Sequence, residues 1–282
     1  MPELPEVEVV RLGLAQAVAS SRVVAAEVRD PRAVKRHVAG AADFEARIVG
    51  VELLEPARRG KFLWIPTGGG AEALLAHLGM SGQLLLRTHE APEDRHVRVR
   101  LWLETAHHGE LRLDFADQRL FGSLALDSMS DGVPRQAAHI ARDPLDPLFD
   151  DEALLRALRT RSAAVKKLLL DQNLISGVGN IYADEALWLA RVHPETPGCE
   201  VSAIKARRLL EAVRSVFLKA LAEGGTSFDR LYVNVNGESG YFAHSLNAYG
   251  RGGEPCPRCG TPVRRVSFMN RYSHFCPRCQ RR

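Results

Sequence analysis

Four cysteines near the end of the chain, Cys256, Cys259, Cys276 and Cys279, form two Cys-x2-Cys pairs with sixteen residues between them. Soft thiolates in two such knuckles satisfy tetrahedral zinc, and this spacing falls in the window of structural sites. Four sulfur ligands close the coordination shell against water, so the spacing predicts one structural Zn2+ rather than a catalytic metal. A redox ribbon is the competing use of the same cysteines. Between the pairs, Val263, Val266 and Phe268 suit a β-hairpin whose loop holds Met269, Asn270 and Arg271. At the other end the chain reads Met1-Pro2-Glu3-Leu4-Pro5-Glu6. A small second residue permits removal of Met1, which exposes a secondary amine on Pro2. Such an α-amine titrates near roughly 8, so part of it is unprotonated at neutral pH. It can attack a carbonyl-like carbon and give a charged iminium directly, with Glu3 and Glu6 beside it as candidate proton donors. A proline that only starts a helix has the same local sequence, and the hexapeptide leaves both uses open.

A third constellation is the turn Gly177-Val178-Gly179-Asn180 ahead of a helical stretch. A glycine turn at a helix start presents unpaired backbone N–H groups to an anion, while Asn180 can either cap the helix or donate to a phosphate. Arg161, Lys166 and Lys167 precede it as further cationic donors. The remaining candidates sit at strand turns: Arg58-Arg59-Gly60-Lys61, His77-Leu78-Gly79-Met80-Ser81-Gly82 and Asp117-Gln118-Arg119-Leu120-Phe121-Gly122. Met80 and Phe121 can pack in a core, or stand exposed beside arginines as wedges that open a duplex.

These residues need elements to hold them. A helix is expected over 5–19, where Val7, Val10, Leu14, Ala17 and Val18 make a stripe and Glu6 and Glu8 suit the positive helix start. From 22 to 126 the period is two, with strands expected at 23–28, 47–54, 61–65, 73–78, 83–87, 97–103, 111–115 and 121–126. So many short strands favour an antiparallel sandwich. Periodicity lapses across 127–150, which carries Pro134, Pro144 and Pro147 and reads as a connector. Helical spacing follows at 151–160, 163–170, 181–192 and 202–223. The fold class is therefore α+β and multidomain, with domains expected at 1–130, 151–250 and 251–282 and a linker at 131–150.

Composition narrows the partners. The 282 residues carry 38 Lys+Arg against 34 Asp+Glu, a formal charge of +4. Residues 251–282 hold eight Arg and one acid, a local charge of +7, which leaves −3 for the rest. A basic module around a metal points to a phosphate-bearing partner, although a charge run is often just a solvated face. Five cysteines with only Cys199 outside the terminal cluster exclude a disulfide framework, and Cys199 reads as a small apolar residue. No apolar run approaches the roughly 20 residues of a membrane span, and Glu3, Glu6 and Glu8 do not suit a signal peptide. A cytoplasmic, nucleoid-associated protein is expected.

Taken in this order, the motifs resemble the bacterial formamidopyrimidine-DNA glycosylases over nearly the whole chain. The resemblance rests on Met-Pro-Glu-Leu-Pro-Glu-Val-Glu at the start, Gly-Val-Gly-Asn-Ile-Tyr-Ala-Asp-Glu-Ala-Leu from Gly177, and the terminal four-cysteine element. It implies a β-sandwich with an N-terminal helix, a helix-two-turn-helix domain and a zinc-finger hairpin, with double-stranded DNA carrying oxidised bases or abasic sites bound between domains by a monomer. It further implies excision of 8-oxoguanine and formamidopyrimidines followed by β,δ-elimination. By resemblance Pro2 is the nucleophile at C1′ and Glu3 the acid that assists sugar opening, with Glu6 in support. Lys61 is the lysine of phosphate contact and β-elimination, and Arg271 the arginine of δ-elimination. Met80, Arg119 and Phe121 fill the space left in the duplex, and Arg161, Lys166 and Asn180 are helical-domain DNA contacts.

The chain departs from the family pattern at Leu120, where a second arginine is usual, and at Asp94, where a histidine is usual. On the zinc hairpin, Asn270-Arg271-Tyr272-Ser273 keeps the arginine in an altered setting, and 227–240, with Phe228, Tyr232 and Asn234, corresponds to the loop over the extruded base. Competing readings are an endonuclease VIII-like enzyme for oxidised pyrimidines, a non-catalytic damage binder, and a zinc-ribbon module joined to an unrelated enzyme.

Overall fold

The computed structural model describes residues 2–105, 108–226, 235–236 and 240–282. The chain divides into two compact units, one built from 1–139 and 224–241 and the other from 140–223 and 242–282.

The first unit opens with helix α1 (Leu4–Val18), started by Pro5 in the first turn and buried along Leu4, Val7, Val10, Leu14 and Val18. Strand β1 (Ser21–Val28) follows, then helix α2 (Ala41–Ile48) and strands β2 (Glu52–Leu53), β3 (Ala57–Arg59), β4 (Phe62–Pro66) and β5 (Glu72–His77). Strands β6 (Gly82–Thr88), β7 (Val97–Thr105), β8 (Gly109–Asp117), β9 (Ser123–Ser130) and β10 (Val133–Pro134) complete it. They form two five-stranded antiparallel sheets in the orders β2-β1-β7-β8-β6 and β10-β9-β5-β4-β3. Val23, Leu84, Val99, Leu101, Leu103, Leu113 and Phe115 of the first sheet share one core with Leu63, Ile65, Leu74, Ala76, Leu124 and Leu126 of the second. That core also takes the α1 stripe, so the expected sandwich is present with its helix as a lid on the same apolar layer.

Two stretches differ from the sequence reading. The strand expected at 47–54 shrinks to β2 (Glu52–Leu53), because its first two residues end helix α2, whose buried face is set by Phe44 and Ile48 four residues apart. The stretch read as a linker, 131–150, begins with ordered structure: β10 pairs with β9, and the Gln136 backbone N–H donates to Asp127 at 2.8 Å.

The second unit carries α3 (Asp151–Thr160), α4 (Val165–Leu169), α5 (Asn180–Ala190) and α6 (Ala203–Ala222), then the hairpin of β11 (Arg264–Phe268) and β12 (Arg271–Phe275). Asp150 caps α3 by accepting from Ala153 N at 2.9 Å, and Ser202 caps α6, so both helices begin where their sequence signals lie. Helix α5 is buried nearly all round, which makes it the spine of the unit. No helix among the described residues is long and apolar enough to cross a membrane.

Candidate catalytic and DNA-binding sites

In the first unit Pro2 and Glu3 are buried at the start of α1. The Glu3 backbone N–H donates to Glu6 Oε2 at 2.8 Å, and Glu6 Oε1 accepts from Thr226 N at 2.9 Å and Thr226 Oγ1 at 2.7 Å. One carboxylate therefore ties the first residues of the chain to the segment at 226. Gly225 makes that approach possible: its φ of +83° is left-handed, and a Cβ there would lie 3.3 Å from Glu6 Cγ. Glu6 is thus a support that fixes the backbone next to Pro2. Among the residues of the expected base-covering loop, Phe228, Tyr232 and Asn234 lie outside the described residues.

Lys61 stands in the tight turn between β3 and β4. The hairpin is fastened to α1 by Glu8, which accepts from Arg11 at 2.8 Å and from Arg58 Nε at 2.8 Å. Burial raises the Glu8 pKa, but the hydrogen bonds from Arg11 and Arg58 outweigh it and the net shift is downward. His77, at the end of β5, packs against Phe62 with ring centroids 4.9 Å apart. Burial and then the positive field of Arg36, Lys61 and Lys35 lower its pKa to about 4. This basic group around Lys61 was not picked out from the sequence, where Lys35 and Arg36 sit in an unremarked turn.

The exposed side chains of Met80, Arg119 and Phe121 come from two turns packed backbone to backbone. A Cβ on Gly79 would fall 2.5 Å from Gly122 N, so only glycine lets the turns meet. Asp117, fully buried, organises both: its carboxylate accepts from Ser81 Oγ at 2.6 Å, Arg119 N at 3.1 Å and Gly122 N at 2.7 Å. Leu120 has φ +57°, packs partly buried against the sandwich core, and accepts at its carbonyl from Lys35 Nζ at 2.8 Å. The residue that replaces the usual arginine is therefore an anchor of the turn, with a lysine beside it. Asp94 has a local task as well, accepting from His96 N at 2.8 Å to close its turn.

In the second unit α5 holds the terminal hairpin. Asn180 Nδ2 donates to Tyr272 O at 3.0 Å, and Asp184 Oδ2 accepts from His274 N at 2.8 Å. Glu185 Oε1 accepts from Ala248 N at 2.8 Å and Tyr249 N at 2.9 Å, which fixes the approach to the first cysteine pair. Arg271, exposed at the first position of β12, lines one cavity of about 470 Å³ with Asn180 and Tyr249. Tyr249 carries no motif of its own and sequence reasoning missed it. Arg161 is exposed at the end of α3 and pairs with Asp171 at 3.3 Å.

Lys166 corrects an expectation. It is fully buried, its Nζ lies 2.6 Å from Asp184 Oδ1, and it donates to Ser273 Oγ at 2.7 Å and Tyr272 O at 3.1 Å. An ammonium enclosed by a carboxylate, a hydroxyl and a carbonyl has no surface to offer DNA. It locks α4, α5 and β12 together and so positions the hairpin that bears Arg271.

The four cysteine sulfurs lie within 4.8 Å of one another. Sulfurs at the corners of a zinc tetrahedron stand about 3.8 Å apart for Zn–S bonds of roughly 2.3 Å, so the donor set fits. Burial pushes the Cys276 thiol up to about 12, whereas the Thr261 side chain and then its backbone hold Cys259 down to about 6. Sulfurs so placed become four thiolates only against a compensating cation. The site thus fits one structural zinc ion.

Three family patterns match the chain in order: the formamidopyrimidine-DNA glycosylase N-terminal domain over 1–124, the H2TH domain of the same family over 140–230, and the zinc finger found in FPG and IleRS over 253–282. The formamidopyrimidine-DNA glycosylase of a Nocardioides species is 59% identical over 280 residues, covering 99% of this chain and 94% of the relative. That of Streptomyces coelicolor is 59% identical over 282 residues, covering 100% and 98%. Among solved structures, Lactococcus lactis Fpg with abasic-site DNA superposes at a TM-score of 0.88 with 32% identity, covering 99% of this chain and 100% of that one. The same protein with Fapy-dG DNA gives 0.88, 32%, 99% and 100%. With both units, their motifs and the metal-binding cysteines accounted for along the full length, the chain belongs to the formamidopyrimidine-DNA glycosylase family.

Proposed function

We propose that this protein removes 8-oxoguanine and formamidopyrimidines from duplex DNA with Pro2 as nucleophile and cleaves the resulting site by β,δ-elimination. As a member of its family it is a base excision repair glycosylase with AP lyase activity. The observation that carries the residue assignment is the support of the chain start: Glu6 binds both Glu3 N and Thr226. The Pro2 amine forms a bond to C1′ as the glycosidic bond breaks, and Glu3 gives a proton to the sugar ring oxygen as the ring opens to the iminium. Loss of a C2′ proton then expels the 3′ phosphate, and a second elimination expels the 5′ phosphate. Lys61 and Arg271 hold those phosphates, Met80, Arg119 and Phe121 occupy the duplex, and Asn180 and Arg161 hold the flanking backbone. Zinc, when bound, supplies no chemistry beyond the fold of the hairpin.

We assign domains at 1–130, 151–250 and 251–282 joined through 131–150, with 224–226 serving the first of them at Glu6. The protein acts as a monomer in the bacterial cytoplasm, associated with the nucleoid through DNA. A lesion panel should include an oxidised pyrimidine, because Lactococcus lactis Fpg is also solved with such DNA at a TM-score of 0.88 and 32% identity, over 100% of both chains. The test is borohydride trapping on an 8-oxoguanine:cytosine duplex with the mature N-terminus verified by mass spectrometry. A covalent adduct mapped to Pro2 is expected, and its loss in Pro2→Gly. Persistent binding without an adduct, on this duplex and on an abasic one, replaces the enzyme reading with a damage binder.

A further inference from the structure

Trp188 lies near the end of α5 with 8% of its surface exposed. Its indole Nε1 donates to Cys256 Sγ at 3.4 Å. An indole N–H is a donor only, and sulfur is its partner here. Arg258, between the first two cysteines in sequence, lays its guanidinium 3.9 Å from the Trp188 ring centroid and donates from Nη1 to Trp188 O at 3.0 Å. The ring is thus held on its face and through its own backbone, which leaves the N–H aimed at one sulfur. Trp188, Ala248, Cys256, Val263 and Cys276 together make the small apolar cluster of the finger, so the contact is enclosed.

Four thiolates around one Zn2+ leave the centre with a net charge of −2. Donors pointed at the sulfurs relieve that charge, strengthen metal binding and draw electron density away from the lone pairs that attack electrophiles. The Cys279 backbone N–H does this for Cys276 at 3.4 Å, from within the finger itself. Trp188 does it for Cys256 from the helix that also bears Asn180 and Asp184. We propose that Trp188, clamped by Arg258, is a supporting residue of the zinc centre that slows metal loss and shields the Cys256 thiolate from electrophiles.

The step protected against is simple: Cys256 sulfur forms a bond to one alkene carbon of a maleimide, the other alkene carbon takes a proton from water, the sulfur–zinc bond breaks, and the zinc, left with three thiolates, passes to a chelator. The test uses the full-length zinc-loaded protein without DNA, so its outcome is separate from the lesion chemistry. Zinc transfer to a chromogenic chelator is timed with and without N-ethylmaleimide, and the first modified cysteine is mapped by mass spectrometry. Trp188→Phe keeps the ring for Arg258 and the packing but removes the N–H. Zinc release about 10-fold faster is expected, the usual effect of losing such a supporting partner, with Cys256 becoming the first cysteine modified. Release at the wild-type rate, from a variant with unchanged far-ultraviolet circular dichroism, overturns the proposal. If that variant does not fold, Arg258→Met decides: faster release at intact fold supports it, and an unchanged rate refutes it.

Discussion

The start of the chain and the zinc hairpin carry the two groups proposed to act on DNA from opposite ends of the sequence, Pro2 and Arg271, yet they are held by opposite means. Pro2 and Glu3 begin a helix whose stripe is sunk in a core shared by two five-stranded sheets. There the fine positioning is left to carboxylates that accept backbone and hydroxyl donors: Glu6 at Glu3 and Thr226, Asp117 at the turns bearing Met80 and Phe121. Arg271 stands on a two-stranded sheet whose own apolar cluster is small. Two strands cannot bury enough surface to be stable alone. The hairpin is therefore held by metal-binding cysteines on one side and by the buried Lys166–Asp184 pair on the other. A large core tolerates a site built from hydrogen bonds, whereas a small module needs bonds of higher strength.

The comparison can be broken most severely through the metal. Structural zinc contributes on the order of 10 kcal/mol to the folding of a finger. Chelation of zinc is expected to abolish amide exchange protection across β11 and β12 and leave β7 and β8 protected, as hydrogen exchange measured by mass spectrometry will read. If the hairpin stays protected, the buried pair alone is sufficient. Next in size is Asp184→Asn, which strands a buried ammonium and should cost about 3–5 kcal/mol in denaturant unfolding of the second unit. The double change Lys166→Met with Asp184→Leu should recover most of that loss, because an apolar replacement leaves no charge unpaired. Asp117→Ala removes one acceptor from three donors and should cost about 2 kcal/mol in the first unit, with Met80 and Phe121 becoming more mobile by side-chain NMR.

The smallest expected effect is a pH dependence. His77 has its pKa depressed from 6.5 to about 4 by burial and by the nearby cations. Between those values the unfolded chain takes a proton that the folded one refuses, so stability falls as pH drops from 6.5 towards 4 and then levels. The loss is no more than about 2 kcal/mol once partial solvent screening is counted. His77→Gln should flatten that limb of the stability curve, and an unchanged limb would place the titration elsewhere.

Much of this organisation is legible in the sequence wherever a local rule is strong. Helix α3 begins and ends as read because Asp150 caps it and Leu154, Leu155 and Leu158 face inward. The metal site follows from cysteine spacing alone, since coordination chemistry depends on few residues. The reading fails where burial decides. Lys166 and Lys167 are neighbours in one basic dipeptide, yet the first is enclosed by Asp184 and Ser273 and the second is exposed. Nothing local distinguishes them, because the enclosing groups come from α5 and β12, 18 and more residues away. Leu120 looked like a lost arginine and is an anchor, since the positive φ that turns its side chain inward is set by Asp117 and the packing at Gly79.

The crossing of the chain at Gly240 has an evolutionary consequence. A Cβ there would lie 2.3 Å from the carbonyl oxygens of both Gly224 and Gly225, and Thr226 pairs with Tyr241, so the two ends of the stretch meet there, while between them Val235 is buried in the sandwich core and accepts at its carbonyl from Leu86 N at 2.9 Å. With its ends joined and Val235 anchored in the core, the stretch can change length on either side of that anchor with little effect on Glu6, since doubling a loop costs only about 0.6 kcal/mol of closure entropy. Selection can therefore revise the chain on either side of Val235 while Glu6 keeps its bonds to Glu3 and Thr226. Grafting these stretches from a relative, with Val235 kept, tests on a lesion panel the base-covering role expected of them while leaving Glu6 and its partners in place.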